Sequence, residues 1–272
     1  MKMISCEEYA KEMKAELKEA ISKLKHKPTL AIIQVGDNLA SNSYVNGKKK
    51  DCEEVGINCI HVHLPSDVSE DAMVETIFGL NFNPNADGII VQLPLPDHLD
   101  ADRITNMIPK LKDVDGFKID SPFDPCTPKG IIDWLEYNNY DLEGIVACVI
   151  GRSKIVGKPL VNMLIDRGAT VTCCNSKTLN LPDHTLHSDL VISAIGKPKC
   201  LSFWYFKDGQ VVVDVGINRD ANGKLCGDVD RENVLVENPL AYVTPVPKGV
   251  GLLTRVALLK NVYNAYMNNV EM

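Results

Sequence analysis

Four polar residues occupy places where an α/β protein would gather a site. Tyr44 and Lys48 are four apart in a stretch with helical spacing, so they share one helix face. Gln92 ends an apolar run and is followed by Leu-Pro-Leu-Pro. Asp115 lies just beyond, in an irregular stretch rich in Asp and Pro. Sites in parallel sheets form at the carboxyl ends of strands, and a polar side chain ending a buried strand needs a partner. Each residue also has a plainer reading. Lys48 is the first of three consecutive lysines, and such a run is usually a solvated face. Gln92 can cap its own strand, and Asp115 can form an Asx turn beside Gly116.

A second group follows the apolar run 145–150. It reads Gly151-Arg-Ser-Lys-Ile-Val-Gly157-Lys-Pro159. One glycine ends a strand and another opens a helix, with Pro159 in the first turn, where its missing N–H costs nothing. Helix N-termini offer free N–H groups to phosphates. This is not the standard G-x-G-x-x-G, and a βα turn of any α/β protein fits it as well. The next strand ends in Asn175-Ser176-Lys177, with no acidic residue to bind ribose hydroxyls. Arg152, Ser153 and Ser176 would instead suit a ribose phosphate, which favours NADP over NAD.

These residues need a scaffold, and the chain supplies one. A helix is expected over 5–25, opened by a capping box of Ser5 and Glu8. A strand over 29–35, a helix over 42–55 ended by Gly56, a strand over 58–64, a helix over 69–80, a strand over 88–92 and a helix over 100–109 follow. Residues 112–128 break the rhythm, and a helix is expected near 128–137. Strands near 145–150, 170–174, 189–194, 210–215 and 241–244 then alternate with helices near 157–167 and 230–237. A last helix near 252–267 can pack back on the first half. The fold class is α/β: two domains, each with a mainly parallel sheet flanked by helices, the second Rossmann-like.

Composition narrows the class of function. The 272 residues are 45% apolar and 24% charged, the balance of a globular protein large enough to fold without disulfides or metal. A net charge of −7 argues against nucleic acid as a partner. Nine cysteines include the adjacent Cys173 and Cys174 and no C-x-x-C pair, which reads as reduced thiols of a cytoplasmic protein. Residues 1–25 lack the apolar run of a signal peptide, and no stretch approaches the ~20 apolar residues of a membrane span.

Several ordered stretches resemble one family: SNSYVNGKKKDCEEVGI, DGIIVQLPLP, KDVDGF, PCTPKG, VIGRSKIVGKP, the SKT after Cys174, VVVDVGIN, GDVD, and TPVP with VGLLT. Over nearly its whole length the chain is similar to the bifunctional methylenetetrahydrofolate dehydrogenase/methenyltetrahydrofolate cyclohydrolases. The resemblance implies a folate-binding catalytic domain over 1–118, completed by the helix 252–272. It implies an NADP-binding domain over 140–250, with 119–139 connecting them and a cleft between the two. It implies oxidation of methylenetetrahydrofolate by NADP and hydrolysis of the methenyl product to formyltetrahydrofolate, in one-carbon metabolism that feeds purine biosynthesis. Lys48 would be the proton carrier of the hydrolysis, with Gln92 bonded to it. Tyr44 would lie against the folate and Asp115 would bond the pterin edge. Gly151, Arg152, Ser153, Ser176 and Ile217 would contact the dinucleotide. A homodimer is implied, and no metal, nucleic acid or membrane.

The chemistry suits these types. Hydride transfer needs two rings held face to face, whereas hydrolysis needs a proton relay. A lysine relays near neutrality when burial or nearby cations tune its amine. The chain also departs from the family. Lys248 stands where PVPGGVGPMT has glycine, Leu252 and Leu253 replace Pro-Met, and Asn175 replaces a frequent His. Only Lys118 to Asp124 separate DVDGF from the PCTP motif, where the family runs longer. A shorter wall motivates an alternative, a dehydrogenase with weak or absent cyclohydrolase activity. A nucleotide-binding regulator without catalysis would not need Lys48. A dehydrogenase of amino or hydroxy acids would not explain the first-half motifs.

Overall fold

The computed structural model describes residues 3–271. In chain order the elements are α1 (Cys6–Ser22), β1 (Thr29–Val35), α2 (Leu39–Val55), β2 (Asn58–Leu64), α3 (Glu70–Asn81), β3 (Gly88–Val91), α4 (Ala101–Asn106), α5 (Cys126–Tyr137), β4 (Val146–Ile150), α6 (Gly157–Ile165), β5 (Thr170–Cys174), α7 (Leu181–Leu186), β6 (Leu190–Ser193), β7 (Val211–Asp214), β8 (Asn218–Arg219), β9 (Leu225–Cys226), α8 (Arg231–Glu237), β10 (Tyr242–Val243) and α9 (Val250–Glu271). They form two compact units. One contains Lys11–Cys126 and Arg255–Met272, and the other contains Met1–Ala10 and Thr127–Thr254.

The first of these units is built on a parallel sheet of order β2-β1-β3. Its central strand is apolar on both sides because both faces are covered. Leu30 and Ile32 join α2, α9 and the end of α1 through Val45, Cys52, Val262 and Ile21. Ala31, Ile33 and Val35 point the other way, onto Met73, Ile77 and Ile104 of α3 and α4. This period of two is what a strand requires. Helix ends are capped by side chains. The Asn38 carboxamide oxygen accepts from the N–H groups of Ala40 and Ser41 at 2.9 and 3.1 Å, so α2 starts three residues before its expected onset. Gly56 stops it in a left-handed conformation, φ 88°. The Lys112 ammonium caps α3, donating to the carbonyls of Asn81 and Asn83 at 2.9 and 3.0 Å.

The second unit carries a five-stranded parallel sheet, β10-β7-β6-β4-β5. Counted within the unit this is the doubly wound order 2-1-3-4-5, whose switch point falls between β4 and β6. Residues 127–139, expected as part of a connector, lie in this unit. Trp134 of α5 is fully buried, and its indole N–H donates to Ile4 O at 3.1 Å. Burying a side chain of this size makes truncation cost about 3–5 kcal/mol. The short α7 and the antiparallel pair β8–β9 were not expected. Strands of two residues carry no periodic signal to read.

Candidate active site

In the first unit the switch point lies between β1 and β3, so side chains just past these strands face a common end. Gln92 follows β3 directly, and its N–H still donates to Ile33 O of β1 at 2.8 Å. Helix α2 runs from the end of β1 and carries Tyr44 and Lys48 on one face. Lys48 Nζ donates to Gln92 Oε1 at 3.1 Å, while Gln92 Nε2 donates to Leu93 O at 2.6 Å. The carboxamide is thus fixed with its oxygen toward the amine. Lys49 and Lys50 are exposed, whereas Lys48 is half-buried. The three lysines therefore do not form one solvated face.

Asp115 joins the same end. Asp113 pairs as a bridge with Ile89 of β3, which brings the segment 113–116 alongside that strand. Burial pushes the Asp115 carboxyl above the ordinary carboxylate range, the Lys48 charge opposes this, and Asp113 adds to it. The Lys48 charge and the Asp115 carboxyl are thus close enough to feel each other. Tyr44 is raised by burial, opposed by the Arg255 charge. Arg255 is itself held by Asp51, Nε to Oδ2 at 3.0 Å.

Two residues absent from the sequence reading hold Asp115 in place. The Asn261 amide on α9 donates to Val114 O at 2.9 Å and Asp124 O at 3.2 Å. The Cys126 thiol donates to Val114 O at 3.2 Å and its main-chain N–H donates to Asp115 O at 3.3 Å, and burial keeps the thiol well above its ordinary pKa. An asparagine within a helix and a cysteine opening one carry no local signal of such partners. The short segment 118–124 folds back on Gly116, where φ is 70° and a Cβ would stand 2.5 Å from the Asp124 carbonyl carbon. Lys118 closes it, donating through Nζ to Asn106 O and Ile108 O at 2.9 and 3.0 Å.

In the second unit, all five expected dinucleotide residues lie within three residues of a strand's carboxyl end. Gly151 and Arg152 follow β4, Ser176 follows β5, and Ile217 follows β7; Ser153 opens the turn into α6. Gly151 has φ 128°, and a Cβ there would lie 2.4 Å from Ala194 O, so only glycine lets these two strand ends approach. Gly157 is as constrained: a Cβ would stand 2.1 Å from Gly151 O. Ser153 Oγ accepts from the N–H groups of Val156 and Gly157 at 3.2 and 3.3 Å, capping α6, and its own proton remains to donate. Arg152, Ser153, Ser176 and Ile217 are all exposed. Asn175 forms an Asx turn, accepting from Lys177 N at 3.0 Å. Lys248 takes φ 75°, a conformation that favours glycine, and pairs with Glu7 at 2.9 Å on the surface.

Among the described residues no group of His, Cys, Asp or Glu could hold a metal ion, and no helix is long and apolar enough to cross a membrane.

Comparison with known proteins finds relatives that match both halves of the chain. Residues 4–115 match the catalytic domain of tetrahydrofolate dehydrogenase/cyclohydrolase, and residues 125–270 match its NAD(P)-binding domain. The bifunctional protein FolD of Bacillus anthracis is 45% identical over 95% of this chain and 94% of its own length. The crystal structure of the bifunctional FolD dehydrogenase/cyclohydrolase of Campylobacter jejuni is 42% identical, with a TM-score of 0.94 over 99% of each chain. That of the Trypanosoma brucei dehydrogenase-cyclohydrolase, complexed with NADP cofactor and inhibitor, is 30% identical, with a TM-score of 0.92 over 100% of this chain and 99% of its own. With both domains matched in order and identity near one half across the whole length, the chain belongs to the tetrahydrofolate dehydrogenase/cyclohydrolase family.

Proposed function

We propose that the chain oxidises methylenetetrahydrofolate to methenyltetrahydrofolate by hydride transfer to NADP, then hydrolyses the methenyl cation to formyltetrahydrofolate. The observation that carries this reading is the Lys48–Gln92 hydrogen bond, at the strand end of a matched catalytic domain. In the hydrolysis, water adds to the methenyl carbon and loses a proton, a ring carbon–nitrogen bond breaks as its nitrogen is protonated, and the remaining hydroxyl proton leaves to solvent as the formyl C=O forms. Lys48 takes the proton from the water and returns it to the departing nitrogen. Gln92 fixes where the amine stands, Asp115 holds the amino-pyrimidine edge of the pterin, and Tyr44 lies against the folate.

The second unit suits NADP. Gly151 leaves a cradle that a Cβ would fill, the N-terminus of α6 offers N–H groups to phosphate, and Arg152, Ser153 and Ser176 favour a ribose phosphate. NADP, when bound, accepts the hydride. The NADP complex of the Trypanosoma brucei relative supports the same choice. The alternative of a dehydrogenase with little cyclohydrolase activity rested on the short segment 118–124. That segment is closed by Lys118, and the Lys48–Gln92 pair is intact, so nothing observed favours it. A cytoplasmic homodimer supplying one-carbon units for purine synthesis completes the reading.

The test is the purified protein with methylenetetrahydrofolate and either NADP or NAD, followed optically. Methenyl absorbance should rise and then decay, faster with NADP. Equal use of both cofactors would undo the assignment of Arg152, Ser153 and Ser176. No methenyl formation with either would undo the whole reading.

A further inference from the structure

The dinucleotide turn rests on a part of the chain that lies far beyond it in sequence. Asp228 is wholly buried, and its carboxylate accepts four hydrogen bonds. Oδ2 takes Ser193 Oγ at 3.0 Å and Ile195 N at 2.7 Å. Oδ1 takes Lys197 N and Asn218 Nδ2, both at 2.9 Å. Four donors fill the acceptor capacity of a carboxylate.

The donors are not scattered. Ser193 ends β6, Ile195 and Lys197 lie in the loop that follows, and Asn218 adjoins Ile217 beyond β7. Ala194, between the first two, is the residue whose carbonyl packs on Gly151. One carboxylate thus ties together the loops past β6, which borders the switch point where a dinucleotide is held, and past its neighbour β7. Asp228 is set in turn by Asp214, the last residue of β7. Asp214 Oδ1 accepts from Gly216 N and Asp228 N, both at 3.0 Å, and Oδ2 accepts from Val229 N at 2.8 Å. The two carboxylates fit because glycines face them. A Cβ on Gly216 would stand 2.3 Å from Asp228 Oδ1, and one on Gly227 would stand 1.8 Å from Asp214 Oδ2.

We infer that Asp228 is the positioning residue of the NADP site, holding the loop 194–197 and Ile217 in the arrangement that receives the dinucleotide. It acts through these loops, since its carboxylate is buried and already filled by protein donors. The inference rests on the NADP reading above. A carboxylate is needed because all four partners are donors. In Asp228→Asn an NH₂ must face two of them, so two bonds are lost at almost constant volume.

The experiment measures NADP dissociation by fluorescence titration, and thermal melting without ligand, for the unmodified protein, Asp228→Asn, Asn218→Ala and Ser193→Ala. The KM for methenyltetrahydrofolate in the hydrolytic assay is read beside them. NADP dissociation should weaken at least tenfold in Asp228→Asn and about threefold in each single-donor variant, with the folate KM within twofold throughout. A purely structural role would lower the melting temperature and weaken both ligands together, which would overturn the inference. If Asp228→Asn fails to fold, the other two variants decide: NADP affinity equal to the unmodified protein in both would also overturn it. Failure of the unmodified protein to bind NADP would mark the cofactor reading, rather than the buttress, as the error, and would take the inference with it.

Discussion

The two candidate sites are made of different material. On the proposed reading, the chemistry at the end of β3 is carried by side chains that meet directly: Lys48 on Gln92, with Asp115 beside them. At the end of β4 it is carried by main chain, by the bare Gly151 and the N-terminus of α6, and by loops hung on a buried carboxylate. The first arrangement places reactive groups. The second shapes a surface around a ligand that brings its own reactivity. A side-chain site should lose chemistry when a single group is removed, whereas a main-chain site should lose shape, and with it affinity.

The largest expected effect is therefore on shape. Gly151→Ala places a Cβ against Ala194 O and forces an alanine to φ 128°. The backbone strain alone costs about 1–3 kcal/mol. Denaturant unfolding should show at least that loss, and NADP titration should show no saturable binding. A stable Gly151→Ala protein with normal NADP affinity would erase the contrast between the sites.

Asp214, buried beneath that surface, should make stability respond to pH. Burial raises Asp214 to about 6 from an ordinary 3.8. A raised folded value means its contribution is fully present below about pH 4 and is lost as pH rises through about 6. The difference of two units corresponds to about 3 kcal/mol. Asp214→Asn should remove this component, so the stability difference between the two proteins should change by up to that amount between pH 4 and 7. Parallel stability curves would show that Asp214 titrates normally.

Removing a single ligand contact should have smaller effects. Asp115→Ala removes a charged acceptor from the pterin, worth about 1.5–3 kcal/mol. The kcat/KM of both activities should fall together by about ten- to a hundredfold, because both use the same bound ring. A fall in only one would give Asp115 a different role. The smallest effect is expected at the exposed Arg152. Arg152→Ala should raise the KM for NADP by about tenfold, from one lost charge-assisted contact, and that for NAD by less. Equal increases would mean that Arg152 does not read the ribose phosphate.

The same contrast explains what the sequence reveals. Strand β1 is legible residue for residue because its apolar run is buried on both faces, and β2 and β5 keep their expected bounds. Lys48 and Gln92 stand out only in part: pattern alone also allows a solvated lysine run and a strand cap, and the family resemblance singles them out as the pair that the fold brings together. Asp228 and Asn261 do not stand out, since their partners are main-chain groups brought near only by the fold. The onset of α2 at Leu39 is hard to read because the cap at Asn38 sits in a polar stretch. The pair β8–β9 is invisible because each strand spans two residues.

The central claim is that Lys48 moves the proton of the hydrolysis and is dispensable for the hydride step. Lys48→Met roughly keeps the stem and removes the amine, and both activities can be measured on one preparation, with Lys50→Met as the exposed control. General acid–base groups contribute about 10²–10⁴-fold. Methenyl hydrolysis should fall to background in Lys48→Met while NADP-dependent methenyl formation remains measurable, and Lys50→Met should retain both. Full cyclohydrolase activity in Lys48→Met would contradict the account.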